Sequence, residues 1–266
     1  MVFDFLQSNT FLLEWTFILF FSLTFLFLLF ISLINFLIFF LIIVDAIQQG
    51  KVIFNNIKNF LRFQLTTSIA AMLLTAACSL LDLPLALNPT QILWINIIMD
   101  GPPAQSLTFE KYADVEKMPP RNPKAPLLNL RLIVKIIISA VVIVCGTIYS
   151  LLHDIPAGTN LAEMNDAPIL CSTISFTTFV FFQLFSAVNC RSLTKSVFHV
   201  GVGSNKILLI TIAASFAVQM LVIYVPFLQA IFKTTGLSLA QLGFCTVVSS
   251  SVWIVDEIIK AIQRYN

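Results

Sequence analysis

Apolar residues in this sequence gather into long continuous runs separated by short polar or proline-containing connectors. A helix crossing the hydrocarbon core of a bilayer needs about 20 such residues. Six or seven stretches meet that length: 16–44, 63–81, 89–107, 130–152, 169–188, 207–227 and 239–261. The pattern predicts an all-α fold, a polytopic helical membrane bundle.

Composition strengthens this reading. The chain has 266 residues, 58% of them hydrophobic and 11% charged, with mean hydropathy +0.95. Soluble domains carry about 25% charged residues, so lipid must be the main solvent here. The distribution of charge then orients the spans. Lys51, Lys58 and Arg62 precede the second run, and Lys111, Lys117, Arg121, Lys124, Arg131 and Lys135 lie in or beside the connector after the third. Arg191, Lys195, Lys206, Lys260 and Arg264 follow on the same side if every run crosses. The opposite side holds Lys233 and the acidic connector with Asp154, Glu163 and Asp166. Fourteen of fifteen basic residues on one face place that face, and the C-terminus, in the cytosol.

Several function classes drop out. No basic stripe with interleaved aromatics suggests nucleic-acid binding. Cys78, Cys145, Cys171, Cys190 and Cys245 occur singly in or beside apolar runs, as small core residues rather than a zinc or disulfide framework. His153 and His199 are far apart and read as interfacial residues. Asp256, Glu257 and Lys260 read as local pairs on one helix face. Within the segment 1–44, residues 17–44 are a nearly unbroken run of Phe, Leu and Ile. It lacks the basic n-region of a signal peptide and the small residues that let membrane helices approach closely. Two readings stay open for it: a lipid-facing anchor, or translated intronic sequence. Residues 45–266 form the second domain.

One polar group inside the runs stands out. In "QILWINIIMDGPPAQSL", Asp100 falls near the middle of the third run, with Asn96 four residues earlier on the same helix face. Ionisable groups within a membrane are expensive and usually functional. Gly101, Pro102 and Pro103 follow. Prolines interrupt the helical hydrogen-bond ladder, and broken helices at mid-membrane are a recurring way to build ion sites. A carboxylate, an amide oxygen and freed carbonyls suit a hard cation such as Ca²⁺ or Mn²⁺. Two side chains are too few for a full shell, so other helices must contribute.

The same segment resembles the sixth transmembrane helix of the secretory-pathway Ca²⁺/Mn²⁺ P-type ATPases. "AIQQGKVIFNNIKNFLRFQLTTSIAA" is similar to that family's fifth helix, "MPPRNPKAPLLN" to the loop after the sixth, and "CRSLTKSVFHVGVGSNK" to the loop between the eighth and ninth. "QMLVIYVPFLQAIFKTTGLSL" resembles the end of the ninth helix. The resemblance runs from about Val44 to the C-terminus and implies six family spans plus one extra Phe-rich segment. It makes Asn96 and Asp100 ligands of a single transported-cation site and Gln105 the position that tunes Mn²⁺ acceptance. Ala71 and Gln183 stand where two-ion pumps carry carboxylates, which implies one ion. A Golgi or secretory-pathway membrane is the implied location.

The family's phosphorylation (DKTGT), nucleotide-binding (TGDGxND) and actuator (TGE) motifs do not occur in the 266 residues. ATP and Mg²⁺ therefore belong only to an intact pump, and the chain is expected to be inactive alone. It reads as the C-terminal transport half of such a pump, needing the missing domains. The alternative is a non-catalytic membrane protein that modulates a full-length pump or channel. A passive cation conduit is a third reading.

Overall fold

The structure is a computed structural model. It describes residues 2–110, 126–153, 169–193, 195–201, 203 and 205–265, and side-chain surroundings within 22–263 except at 99, 198 and 200. The acidic connector 154–168 and residues 111–125 of the proline-rich loop lie outside the described residues. Every described element is helical: α1 (Val2–Leu80), α2 (Pro89–Trp94), α3 (Gly101–Ser106), α4 (Leu130–His153), α5 (Ile169–Asn189), α6 (Val197–Val200), α7 (Lys206–Tyr224), α8 (Pro226–Phe232) and α9 (Leu239–Tyr265). Among the described residues, five helices are long and apolar enough to cross a membrane. The protein is thus an all-α, multi-pass membrane bundle.

Three runs are wound otherwise than as one helix each. The first two are joined in α1, because the polar stretch between them ends a membrane run without ending a helix. It contains no proline, and Gln49 donates to Asp45 Oδ2 at 2.8 Å, one turn back. The third run is not one helix. A π-helical turn (Ile95–Met99) separates α2 from α3, and a 3₁₀ turn (Leu107–Phe109) follows.

The chain divides into two units, Met1–Lys51 and Val52–Asn266. In the first, the large apolar side chains from Leu23 to Val44 are exposed. In the second, α1 buries one stripe: Asn56, Asn59, Arg62, Phe63, Thr66, Thr67, Ala70, Leu74 and Cys78. Steps of three and four put these on one helix face. The polar end of the stripe makes hydrogen bonds, and the apolar end joins the core.

α5 is central, with 17 of its 21 residues buried. It is also rich in Ser and Thr, and much of that polarity is satisfied within the helix. Thr173 donates to Ile169 O at 2.6 Å, Ser175 to Cys171 O at 2.9 Å and Thr177 to Thr173 O at 2.8 Å. Back-bonded hydroxyls are compact and let neighbouring helices come close. α4 supplies the matching surface: a Cβ built on Gly146 would lie 2.4 Å from Phe182 Cζ. α9 covers another side of α5, with Cys245 and Val252 in the core.

Candidate cation site

The site is built on the broken span. α2 begins at Pro89, and its Gln91 side chain donates to Phe232 O at 3.1 Å. Trp94 sets its ring edge-on to Phe232, 4.7 Å between centroids. The π turn follows, closed by the Asp100 amide donating to Ile95 O at 2.9 Å. Single π turns inside helices are frequent at functional sites. α3 then starts at Gly101 with a proline in its first turn. Proline is at home there, since first-turn amides have no helical acceptor. The break thus precedes Asp100, and Pro102 marks a restart. The Ile98 carbonyl loses its α-helical donor at Pro102 and its π-helical donor at Pro103.

Asp100 sits at this junction and is buried, 1% exposed. Its Oδ2 lies 3.0 Å from the Thr67 hydroxyl of α1. The same hydroxyl lies 3.0 Å from Gln64 O, so one proton serves two acceptors. Asp100 Oδ1 has no hydrogen-bond partner. Burying an unpaired carboxylate oxygen is costly, which sets Asp100 apart from an ordinary packed polar residue.

The other predicted residues lie in different surroundings. Asn96 is exposed, so the structure gives it and Asp100 different environments rather than one shared pocket. Gly101 is half-buried, Pro102 exposed and Pro103 buried, while Gln105 is exposed. Ala71 is half-buried against the core. Gln183 is buried, and neither atom of its amide has a partner. Among the described residues no three His, Cys, Asp or Glu side chains cluster as a metal site. A calcium ion takes about 6–8 oxygens, and the Asp100 carboxylate with the Thr67 hydroxyl beside it falls well short of that number. His153 and His199 are exposed, and the His153 ring stacks on Phe244 at 4.5 Å. Four of the five cysteines are buried; Cys145 is exposed.

Two buried charge networks flank the site, and the sequence reading missed the long-range half of each. Arg62 on α1 forms an ion pair with Asp256 on α9, both almost fully buried. Lys260 joins from the next turn at 3.0 Å and also donates to Asn189 O at 2.9 Å. The expected local pairs are present, with Lys260 3.6 Å from Glu257.

The second network is centred on Glu110, the first charged residue of the connector after the third run. It is 3% exposed. Arg191 holds it from Nε at 3.2 Å to both oxygens and from Nη2 at 2.7 Å. Asn205 Nδ2 donates to Glu110 Oε2 at 2.8 Å while Asn205 Oδ1 caps α7. Asn56 Nδ2 donates to the Glu110 carbonyl at 3.0 Å, and Asn59 Nδ2 to Arg191 O at 2.7 Å. One hub therefore ties the exit of the broken span to α1, α7 and the segment after α5. Buried charges need such pairing, and its signal in the sequence was only that Asn56, Asn59 and Arg62 share the stripe with Thr67.

These features define a class: a polytopic helical membrane protein with a buried, partly unpartnered carboxylate at a broken span. Residues 84–262 match the family model described as "Cation transporting ATPase, C-terminus", and the chain belongs to that family. It is 49% identical over 223 residues to calcium-transporting ATPase type 2C member 1 of Mus musculus, across 84% of this chain and 24% of that protein. It is 46% identical over 224 residues to type 2C member 2 of Rattus norvegicus, across 84% of this chain and 23% of the relative. A third relative, calcium-transporting ATPase 1 of Yarrowia lipolytica, is 46% identical over 216 residues, across 81% and 22%. The motif resemblance is borne out, and the chain spans about a quarter of the length of these relatives.

Proposed function

We propose that these residues form the cation-holding membrane part of a Ca²⁺/Mn²⁺-transporting P-type ATPase, with Asp100 as the charged ligand. The observation that carries this reading is the Asp100 carboxylate itself. It is buried at a helix discontinuity, held through Oδ2 by Thr67, with Oδ1 open. Asn96 is exposed one turn before it, available to a neighbouring helix. The Ile98 carbonyl adds a neutral oxygen, and Gln105, one turn beyond the break, bears on Mn²⁺ acceptance. Neither Ala71 nor Gln183 brings a second carboxylate, in keeping with one ion per cycle. Phosphoryl transfer from ATP with Mg²⁺ belongs to domains whose motifs are not in these 266 residues. The relatives' calcium transport supports this reading. A Golgi or secretory-pathway membrane and a cytosolic C-terminus complete it.

The test is radiolabelled-calcium uptake and Ca²⁺-dependent ATP hydrolysis by a pump that joins this chain to the phosphorylation, nucleotide-binding and actuator domains. Asp100→Asn should abolish both, and Gln105→Ala should lower Mn²⁺ relative to Ca²⁺ transport. Uptake that survives Asp100→Asn would overturn the assignment. A joined protein that never transports, while the chain co-purifies with a complete pump and alters its rate, would favour the modulator reading.

A further inference from the structure

A half-open cavity of ≈ 380 Å³ lies away from Asp100, where α4 begins, α9 ends and the segment after α5 passes. Its lining is Lys58 from α1, Leu127 and Asn129 from the segment before α4, Arg131, Leu132 and Lys135 from α4, Leu193, and Gln263 from α9. Among the described residues, three cations and two amides face the space, and no acidic residue lines it. On α9, Asp256 is committed to Arg62 and Lys260, and Glu257 to Lys260 and the Val197 amide.

The cations are held rather than loose. Lys135 is 3% exposed and donates to the Leu193 carbonyl, leaving two of its three ammonium protons for a further acceptor. Lys58 sits with its ammonium 4.5 Å above the Phe54 ring. Arg131 is exposed at the mouth and presents a planar fork suited to phosphate oxygens. The remaining lining is leucine. A cavity with a cationic mouth, amide donors and aliphatic walls at the ends of membrane helices suits an anionic amphiphile.

We propose that this cavity binds the phosphorylated headgroup of an anionic membrane lipid, with phosphate on Arg131, Lys58 and Lys135, polyol hydroxyls on Asn129 and Gln263, and the glycerol end against the leucines. Basic pockets between membrane helices are a recurring solution for such headgroups. A soluble phosphate ester would satisfy the cations but gain nothing from the leucine walls.

The experiment places the full chain in phosphatidylcholine nanodiscs and titrates a fluorescent phosphorylated phosphatidylinositol, with a soluble inositol phosphate and inorganic phosphate in parallel. The lipid should bind saturably, more weakly as salt rises, and much more tightly than either soluble anion. Lys58→Gln and Arg131→Gln should each weaken it about five-fold. Arg131→Lys should restore much of the loss, and Lys206→Gln, outside the cavity, should change nothing. Because Lys58 and Arg131 are not in the core, these variants keep the fold, checked by an unchanged melting profile. Equal binding by wild type and both Gln variants overturns the proposal. So does a soluble inositol phosphate that binds as tightly as the lipid.

Discussion

Asp100 is legible in the sequence because a carboxylate within an apolar run is rare enough to need a reason. Thr67 is not, since a threonine in a membrane helix is ordinary. Yet its hydroxyl is the protein contact that orients the Asp100 carboxylate. Thr67→Ala in the joined pump should raise the calcium concentration for half-maximal ATPase activity about ten-fold, the scale of one hydrogen bond to a charged group. Thr67→Ser should stay near wild type, and an unchanged half-activation in Thr67→Ala would remove Thr67 from the site. The Arg62–Asp256 pair escaped for another reason: its partners lie 194 positions apart. Pattern within one helix reveals Asp256 with Lys260 but nothing across helices. Removing one member of a buried pair costs about 3–5 kcal/mol, so Arg62→Met should lower the melting temperature of the detergent-solubilised chain clearly. Adding Asp256→Asn to Arg62→Met should cost less than the sum of the two, and strict additivity would show that the pair is not coupled.

At the level of elements, hydropathy located every apolar run but could not say how each is wound. The prolines after Asp100 suggest a break at their own position. In the structure they begin α3, and the discontinuity is the π turn before Asp100. Hydropathy carries no sign of a π turn, because one extra residue per turn leaves the apolar content unchanged. The joining of the first two runs into α1 follows the same logic: polarity ends a membrane span, while only backbone chemistry ends a helix. Close packing of elements has a sharper test at α4 and α5. Gly146→Ala puts a methyl group where the buried Phe182 ring lies. Overpacking of this kind costs about 1–3 kcal/mol, so a lower melting temperature is expected. Gly146→Ala combined with Phe182→Leu should recover part of the loss, and a single variant that melts like wild type would contradict the tight contact.

For the whole molecule, the large buried residues of the core and both charge networks fall between Asn56 and Lys260, inside the unit Val52–Asn266. Deleting residues 2–51 should therefore leave the melting profile of that unit unchanged, as measured by tryptophan fluorescence using Trp94 and Trp253. A collapse of the profile would mean that the Phe-rich segment is part of the folded core. Within the unit, α1 carries Thr67 of the cation site and Asn56 of the Glu110 hub eleven residues apart, about 16 Å along a helix. A movement at one must be felt at the other unless α1 bends. The bundle class and the carboxylate were visible in the sequence because lipid demands long apolar runs and makes a charge inside one conspicuous. The hub was not, because its members come from segments that the sequence shows only as connectors.

The self-contained bonding of α5 bears on how such a protein is made. By closing Thr173, Ser175 and Thr177 onto its own carbonyls, the central helix meets lipid with fewer open polar groups before α7 and α9 have been synthesised. The translating ribosome can then release the spans one at a time, and the newborn chain need not wait for its last helix to be safe from water or proteolysis.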